Sequence, residues 1–240
     1  MKRVASLFIS CFNHMDDNNK NDDDDDDDDD TKKSLCFALC RVITRSNHLP
    51  LLQYCCQTLS SSPSSLSILL KPYFYSILQD QANGSSKGMV YSTAASILLG
   101  TDNDNKNNYD VEEIVNLFLK CTILGNKFAS HDTVVPLARP FLSTLSQPII
   151  DTVIVPTCEL KLRANPEGCL ETIHAILSCL DTSGIVLQEE ATTNLTSLAI
   201  KQFKSSSKQH MKLLASQFLV QVAHLSSSCD NIVTQLCNAL

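Results

Sequence analysis

From about Gln147 onward, apolar residues recur every three or four positions in short blocks separated by polar breaks. Over 166–180, Cys169, Ile173, Ile176, Leu177 and Leu180 fall on one helical face, with Glu167, Glu171, Thr172, His174 and Ser178 on the other. The next block repeats the pattern with Leu187, Ala191, Leu195, Leu198 and Ala199. A third does so with Met211, Leu214, Phe218, Val222 and Leu225. One apolar stripe at the 3.6-residue period obliges each helix to bury a face against a neighbour. A serial array of such helices is an α-solenoid, which builds extended surface rather than a pocket. The same periodicity predicts helices over 4–14, 34–46, 50–60, 64–79, 88–99, 110–124, 133–145, 148–161, 166–180, 186–203, 208–225 and 230–240.

The breaks carry turn chemistry. Asn165 before Pro166 and Glu167 places an N-cap, a proline at the first helical position and an acid at the positive end of the dipole. Runs of serine at 205–207 and 226–228, the second followed by Cys229 and Asp230, bracket one helix. Asp132 and Thr133 open a helix containing Pro136 and Pro140, which are expected to kink it or confine it to short turns. Helix starts near 148, 186 and 230 are spaced close to the HEAT/armadillo period of roughly 40–47 residues. The expected fold is therefore all-α, an α-solenoid of about six HEAT/armadillo-like repeats.

Two low-complexity segments interrupt this array. Residues 15–33 form an Asp/Asn/Lys insert whose adjacent carboxylates repel one another, and disorder is expected there. A shorter Asn/Asp-rich loop is expected at 101–109. The domain reading is a first helix at 1–14, the acidic insert at 15–33, and HEAT-like repeats over 34–240. The formal net charge of −7 comes from the acidic insert. With residues 16–30 set aside, 18 basic and 15 acidic residues remain, a net of about +3. Charge alone thus gives no strong nucleic-acid signature.

Apolar residues make up 43% of the chain, enough for a core, and 6 Gly, 8 Pro and no Trp suit helices joined by brief turns. The 11 cysteines show no disulfide spacing and sit in apolar stripes, as Cys158, Cys169 and Cys179 do. They are read as free thiols packed in a reducing compartment, with a cytoplasmic location. Sequons at Asn83 and Asn194 read as chance matches, the second because it lies mid-helix. Lys2 and Arg3 precede an apolar run, but no small-residue cleavage site follows, so the run is read as a helix. No apolar stretch is long enough to span a membrane.

Val111–Lys120 (VEEIVNLFLK), Val155–Glu167 (VPTCELKLRANPE) and the Glu171-Thr172-Ile173 that follows carry a more specific signal. Together they resemble the amino-terminal part of the general-control translational activator family, the stalled-ribosome sensors. The family's core there runs Leu-Pro-x-x-x-Lys-x-Leu-Leu-Arg-x-Pro-Glu and then Glu-Thr. Val155 and Pro156 match its opening, and Lys161, Leu162, Arg163, Pro166 and Glu167 resemble its end. Ala164-Asn165 adds one residue before the proline. The resemblance covers about 110–240, and members are roughly ten times longer, so the chain reads as a fragment of a longer protein. It implies a ribosome-associated HEAT-repeat scaffold, part of an activator of the starvation-responsive kinase that phosphorylates a translation initiation factor. The implied partners are ribosomal RNA and ribosomal proteins, with the kinase or its adaptor contacted through parts outside this chain.

No catalytic constellation is found. His131-Asp132 would begin a metal phosphohydrolase pair, but the other five histidines stand isolated in the sequence. Cys36/Cys40 and Cys55-Cys56 lack zinc-ribbon spacing, and no Gly-rich phosphate loop occurs. The chain is read as a non-enzyme with no cofactor, metal or small-molecule substrate. The candidate contact surface is basic. Lys201, Lys204, Lys208 and Lys212 straddle one inter-helix turn, with Lys208 and Lys212 one turn apart on the same face, and could meet RNA phosphates. Lys161 and Arg163, at the end of another helix, are the second candidates, and equally suit the negative end of its dipole. Alternative readings are an unrelated HEAT/armadillo scaffold, of transport-receptor or phosphatase-subunit type, and an uncatalogued helical enzyme.

Overall fold

A computed structural model describes residues 3, 6–7, 9–11, 26–60, 65–80, 88–100, 109–124, 130–180, 184–227 and 229–239. These residues are helical apart from short connections; one isolated parallel bridge joins Leu187 to Ser226. The chain divides into two units, 1–118 and 119–240.

In the first unit, α1 (Asp26–Arg45), α2 (Leu49–Ser60), α3 (Ser65–Gln79), α4 (Gly88–Leu98) and most of α5 (Val111–Leu119) follow one another. Arg3, Ser6, Leu7, Ile9, Ser10 and Cys11 are also helical. α1 starts eight residues before the position predicted for it, inside the acidic run expected to be disordered. Acidic residues at the start of a sequence segment favour helix there through the helix dipole. Residues 15–25 of that insert and 101–108 of the Asn/Asp loop lie outside the described residues. α4 packs against both α2 and α3. Its sequence, GMVYSTAASIL, contains no charged residue and is buried on nearly every side. The buried hydroxyls of Ser92 and Thr93 donate to the carbonyls of Gly88 and Met89 at 3.0 and 2.8 Å, so they enter the core already satisfied.

The second unit continues with a π turn, Lys120–Leu124, and then α6 (His131–Leu142). A continuous helical run follows: α7 (Gln147–Ile149), a second π turn (Ile150–Ile154) and α8 (Val155–Ala164). Pro156 has no N–H to offer the Thr152 carbonyl, and the π turn lies immediately before that gap in the ladder. The chain then forms α9 (Pro166–Leu177), α10 (Glu189–Ser205), α11 (Gln209–His224) and α12 (Asp230–Ala239). α6 is one helix through both of its prolines. At i and i+4 they share a side away from the buried Val134, Leu137, Ala138 and Phe141, where the freed carbonyls lie towards solvent.

Packing within this unit follows two rows. α9 lies against α6 and α11, while α10 lies against α8 and α12. The consecutive pairs α8–α9 and α10–α11 join one row to the other. Because α9 has neighbours on three sides, its buried set widens beyond the predicted stripe to include Leu170, Thr172 and Ala175. Thr172, expected on the outer face, is 1% exposed. In α10 the buried positions are Thr192, Leu195, Thr196, Ala199 and Gln202, so Ala191 and Leu198 are only partly covered. Leu187 is buried ahead of that helix rather than within it. It lies on the extended bridge segment, its N–H donating to the Leu225 carbonyl at 2.7 Å. In α11 Met211, Phe218 and Val222 are buried as predicted, whereas Leu214 is half-covered and Ala215 and Leu219 take its place.

Hydrogen bonds between elements recur at similar sequence separations, between 35 and 44 residues. Arg139 Nη2 donates to the Ser178 carbonyl 39 residues on, and Gln221 Nε2 to the Leu177 carbonyl 44 residues back. Gln147 bonds Val186 in both directions, 39 residues apart, and Gln188 Nε2 donates to Asp151 at a separation of 37. Asn194 Nδ2 donates to Glu159 at a separation of 35. A chain advancing by one helix pair each time juxtaposes residues in this way.

The described thiols are all free. Eight are buried, and burial pushes Cys55, Cys56 and Cys179 up to about 12, far from the reactive thiolate range. Among the described residues no helix is long and apolar enough to cross a membrane.

Candidate functional site

The predicted basic residues lie at two helix ends in the second unit. Lys201 and Lys204 are exposed on the last turns of α10. Lys208 precedes α11, and its backbone N–H is held by the Ser206 hydroxyl at 3.2 Å, which fixes the turn between the two helices. Its ammonium does not join the other lysines. It donates to Glu167 Oε2 of α9 at 2.8 Å, and this cation holds the Glu167 carboxyl below its usual range. Lys212 is turned towards Phe203, with Nζ 5.8 Å from the ring centroid. Lys208 and Lys212, expected on one face, therefore serve different partners. Arg163 is paired with Glu159 at 3.2 Å within α8, while Lys161 is partly covered. Of the six predicted cations, Lys201 and Lys204 present the most open charge.

Beside this edge runs an apolar groove of about 420 Å³ between α10, α11 and α12. Ile200, Phe203, Leu219, Val220, Ile232 and Val233 form its walls, and Lys204 is the charged residue on its rim. Val220 and Val233 are each 55% exposed, so both lips of the groove are hydrophobic and open.

The sequence reading missed a polar cleft between α6, α9 and α11. His131, Asp132, Glu171, His174, His210, Leu214 and Gln217 line a space of about 360 Å³. His131 begins α6 after the Ser130 cap; its N–H donates to Glu171 Oε1 at 3.2 Å, and its ring stacks on His174 at a centroid distance of 5.1 Å. His174 and His210, judged isolated along the chain, thus share one cleft with the His131-Asp132 pair. The signal lay in their spacing, since positions 131, 174 and 210 sit about one repeat apart on helices of the same row. Among the described residues, no group of three or more His, Cys, Asp or Glu is placed to hold a metal ion.

The sequon residue Asn194 is half-buried within α10 and bonded to Glu159. Asn83 lies outside the described residues. No protein family, curated protein or solved structure matches this chain.

Proposed function

We propose that the chain is a HEAT-like helical-repeat scaffold that presents surface to a macromolecular partner and performs no chemistry of its own. The observation that carries this reading is the pair of helix rows in the second unit, cross-bonded at separations of 35 to 44 residues. That separation agrees with one helix pair per HEAT-like repeat. The finer reading is a segment of a ribosome-associated activator of the starvation-responsive initiation-factor kinase, located in the cytoplasm. It is supported by the resemblance over Val155–Glu167, and by Lys201 and Lys204, which stand exposed at the end of α10 as mobile point charges suited to phosphate. The contact with the kinase or its adaptor belongs to other parts of such an activator.

A second reading, a scaffold for a protein partner unrelated to the ribosome, is favoured by the apolar groove. Exposed valines on both lips suit a hydrophobic protein segment better than a phosphate backbone. Co-sedimentation of the full chain with purified ribosomes separates the two readings. In the ribosome reading the chain pellets with ribosomes, K201E/K204E loses most of that binding, and V220D/V233D keeps it. If the wild-type chain stays in the supernatant at low salt, the ribosome reading fails. Loss of binding in the valine variant alone would transfer the contact to the groove.

A further inference from the structure

Within the cleft, His174 is the residue whose surroundings are least suited to a charge. Its Nδ1 is buried and has no hydrogen-bond partner. One side of the ring is covered by the stacked His131 imidazole, with an interplanar angle of 26°. From α6 the cleft receives His131 and Asp132, from α9 itself Glu171, and from α11 His210, with the Lys208–Glu167 pair nearby. α8 and the Lys120–Leu124 π turn, which also pack on α9, contribute no titratable group to its lining among the described residues.

We propose that the His131–His174 stack is a proton-operated latch that holds the start of α6 against α9 at neutral pH and releases it in acid. A proton on His174 would place a second donor where the ring has no acceptor, beside the imidazole of His131. The ring can satisfy that donor by leaving the stack towards the carboxylates of Asp132 and Glu171 or towards water. Departure of the ring removes the cover over the first turn of α6, which is otherwise tied to α9 there by the His131 N–H to Glu171 bond. Burial, followed by the neighbouring His131, pushes His174 down to about 4. Its ordinary value is about 6.5. Since the closed state binds the proton more weakly than the open one, the latch is fully engaged above about pH 6.5. It weakens as pH falls towards 4. The inference concerns a different surface from the basic edge and stands whether or not the chain binds ribosomes.

The test is amide hydrogen exchange on the full chain, with rates corrected for the intrinsic effect of pH. Between about pH 7 and pH 4.5, protection of the first α6 amides should fall at least about tenfold in the native chain. In H174Q, which keeps every carboxylate of the cleft, it should fall less than about threefold. An equal fall in both chains would assign the loss to the carboxylates and overturn the proposal. Should H174Q fail to fold, the ring signals of the native chain decide by NMR titration. A His174 midpoint at least about one pH unit below the ordinary value of about 6.5 supports the latch, and a midpoint near 6.5 refutes it.

Discussion

Residues of one type are divided here by their surroundings. Cys36, Cys40, Cys121 and Cys169 are pushed up to about 11 by burial, whereas Cys11, Cys229 and Cys237 are exposed. A thiol-labelling time course at pH 8 should therefore show three fast cysteines, and all 11 once the chain is denatured. More than three fast thiols in the native chain would show that a buried stripe is open. Thr196 is fully buried, and its hydroxyl has no partner. Replacing both the hydroxyl and its desolvation cost with a methyl group, Thr196→Val should be neutral or stabilise by up to about 1 kcal/mol in urea unfolding. The opposite effect is expected at Asn165, whose side chain accepts from the Gly168 N–H at 3.2 Å. There Asn165→Ala should cost about 1 kcal/mol, the usual value of an N-cap. The cap was legible in the sequence because Asn-Pro-Glu is a local signal. The unpaired threonine was not, since its isolation depends on which helices surround α10.

At the scale of elements, the 3.6-residue pattern located the helices, and most boundaries lie within a few residues of those predicted. The departures share a cause, namely that packing on more than one side overrides a single stripe. α4 is enclosed, so its small and hydroxyl residues are core residues, and α9 buries Thr172 because three helices meet it. Leu187 matched the helical stripe but serves a bridge, an assignment fixed by the distant Leu225 carbonyl. The π turn before Pro156 and the passage of α6 through two prolines are also invisible to periodicity, because they depend on how the backbone redistributes lost bonds. The clearest joint between elements is Gln147, which bonds Asp151 and both backbone groups of Val186 at 2.8 to 3.0 Å. Gln147→Ala should therefore destabilise the second unit by about 1–3 kcal/mol. A loss below about 0.5 kcal/mol in urea unfolding would show that water replaces these bonds without cost.

For the chain as a whole, composition already indicated helices and free thiols, and spacing indicated a period near 40 residues. Neither could show how the charges would be shared out. Six basic residues looked alike in the sequence, yet Lys208 and Arg163 are held by carboxylates, and Lys201 and Lys204 stand open. The pairing of Lys208 with Glu167 spans 41 residues, so it follows from the packing of α9 on α11 rather than from any local motif. This division gives the ribosome reading a quantitative form. Two lysine–phosphate contacts imply a counterion-release slope of about −1.4 to −1.8, or roughly a tenfold loss of affinity between 50 and 200 mM salt. The most direct measurement is the affinity of the full chain for purified ribosomes across that salt range, with K201E/K204E alongside. The account predicts the tenfold decline for the native chain and little remaining salt dependence in the variant. Undetectable or salt-independent binding by the native chain would contradict it.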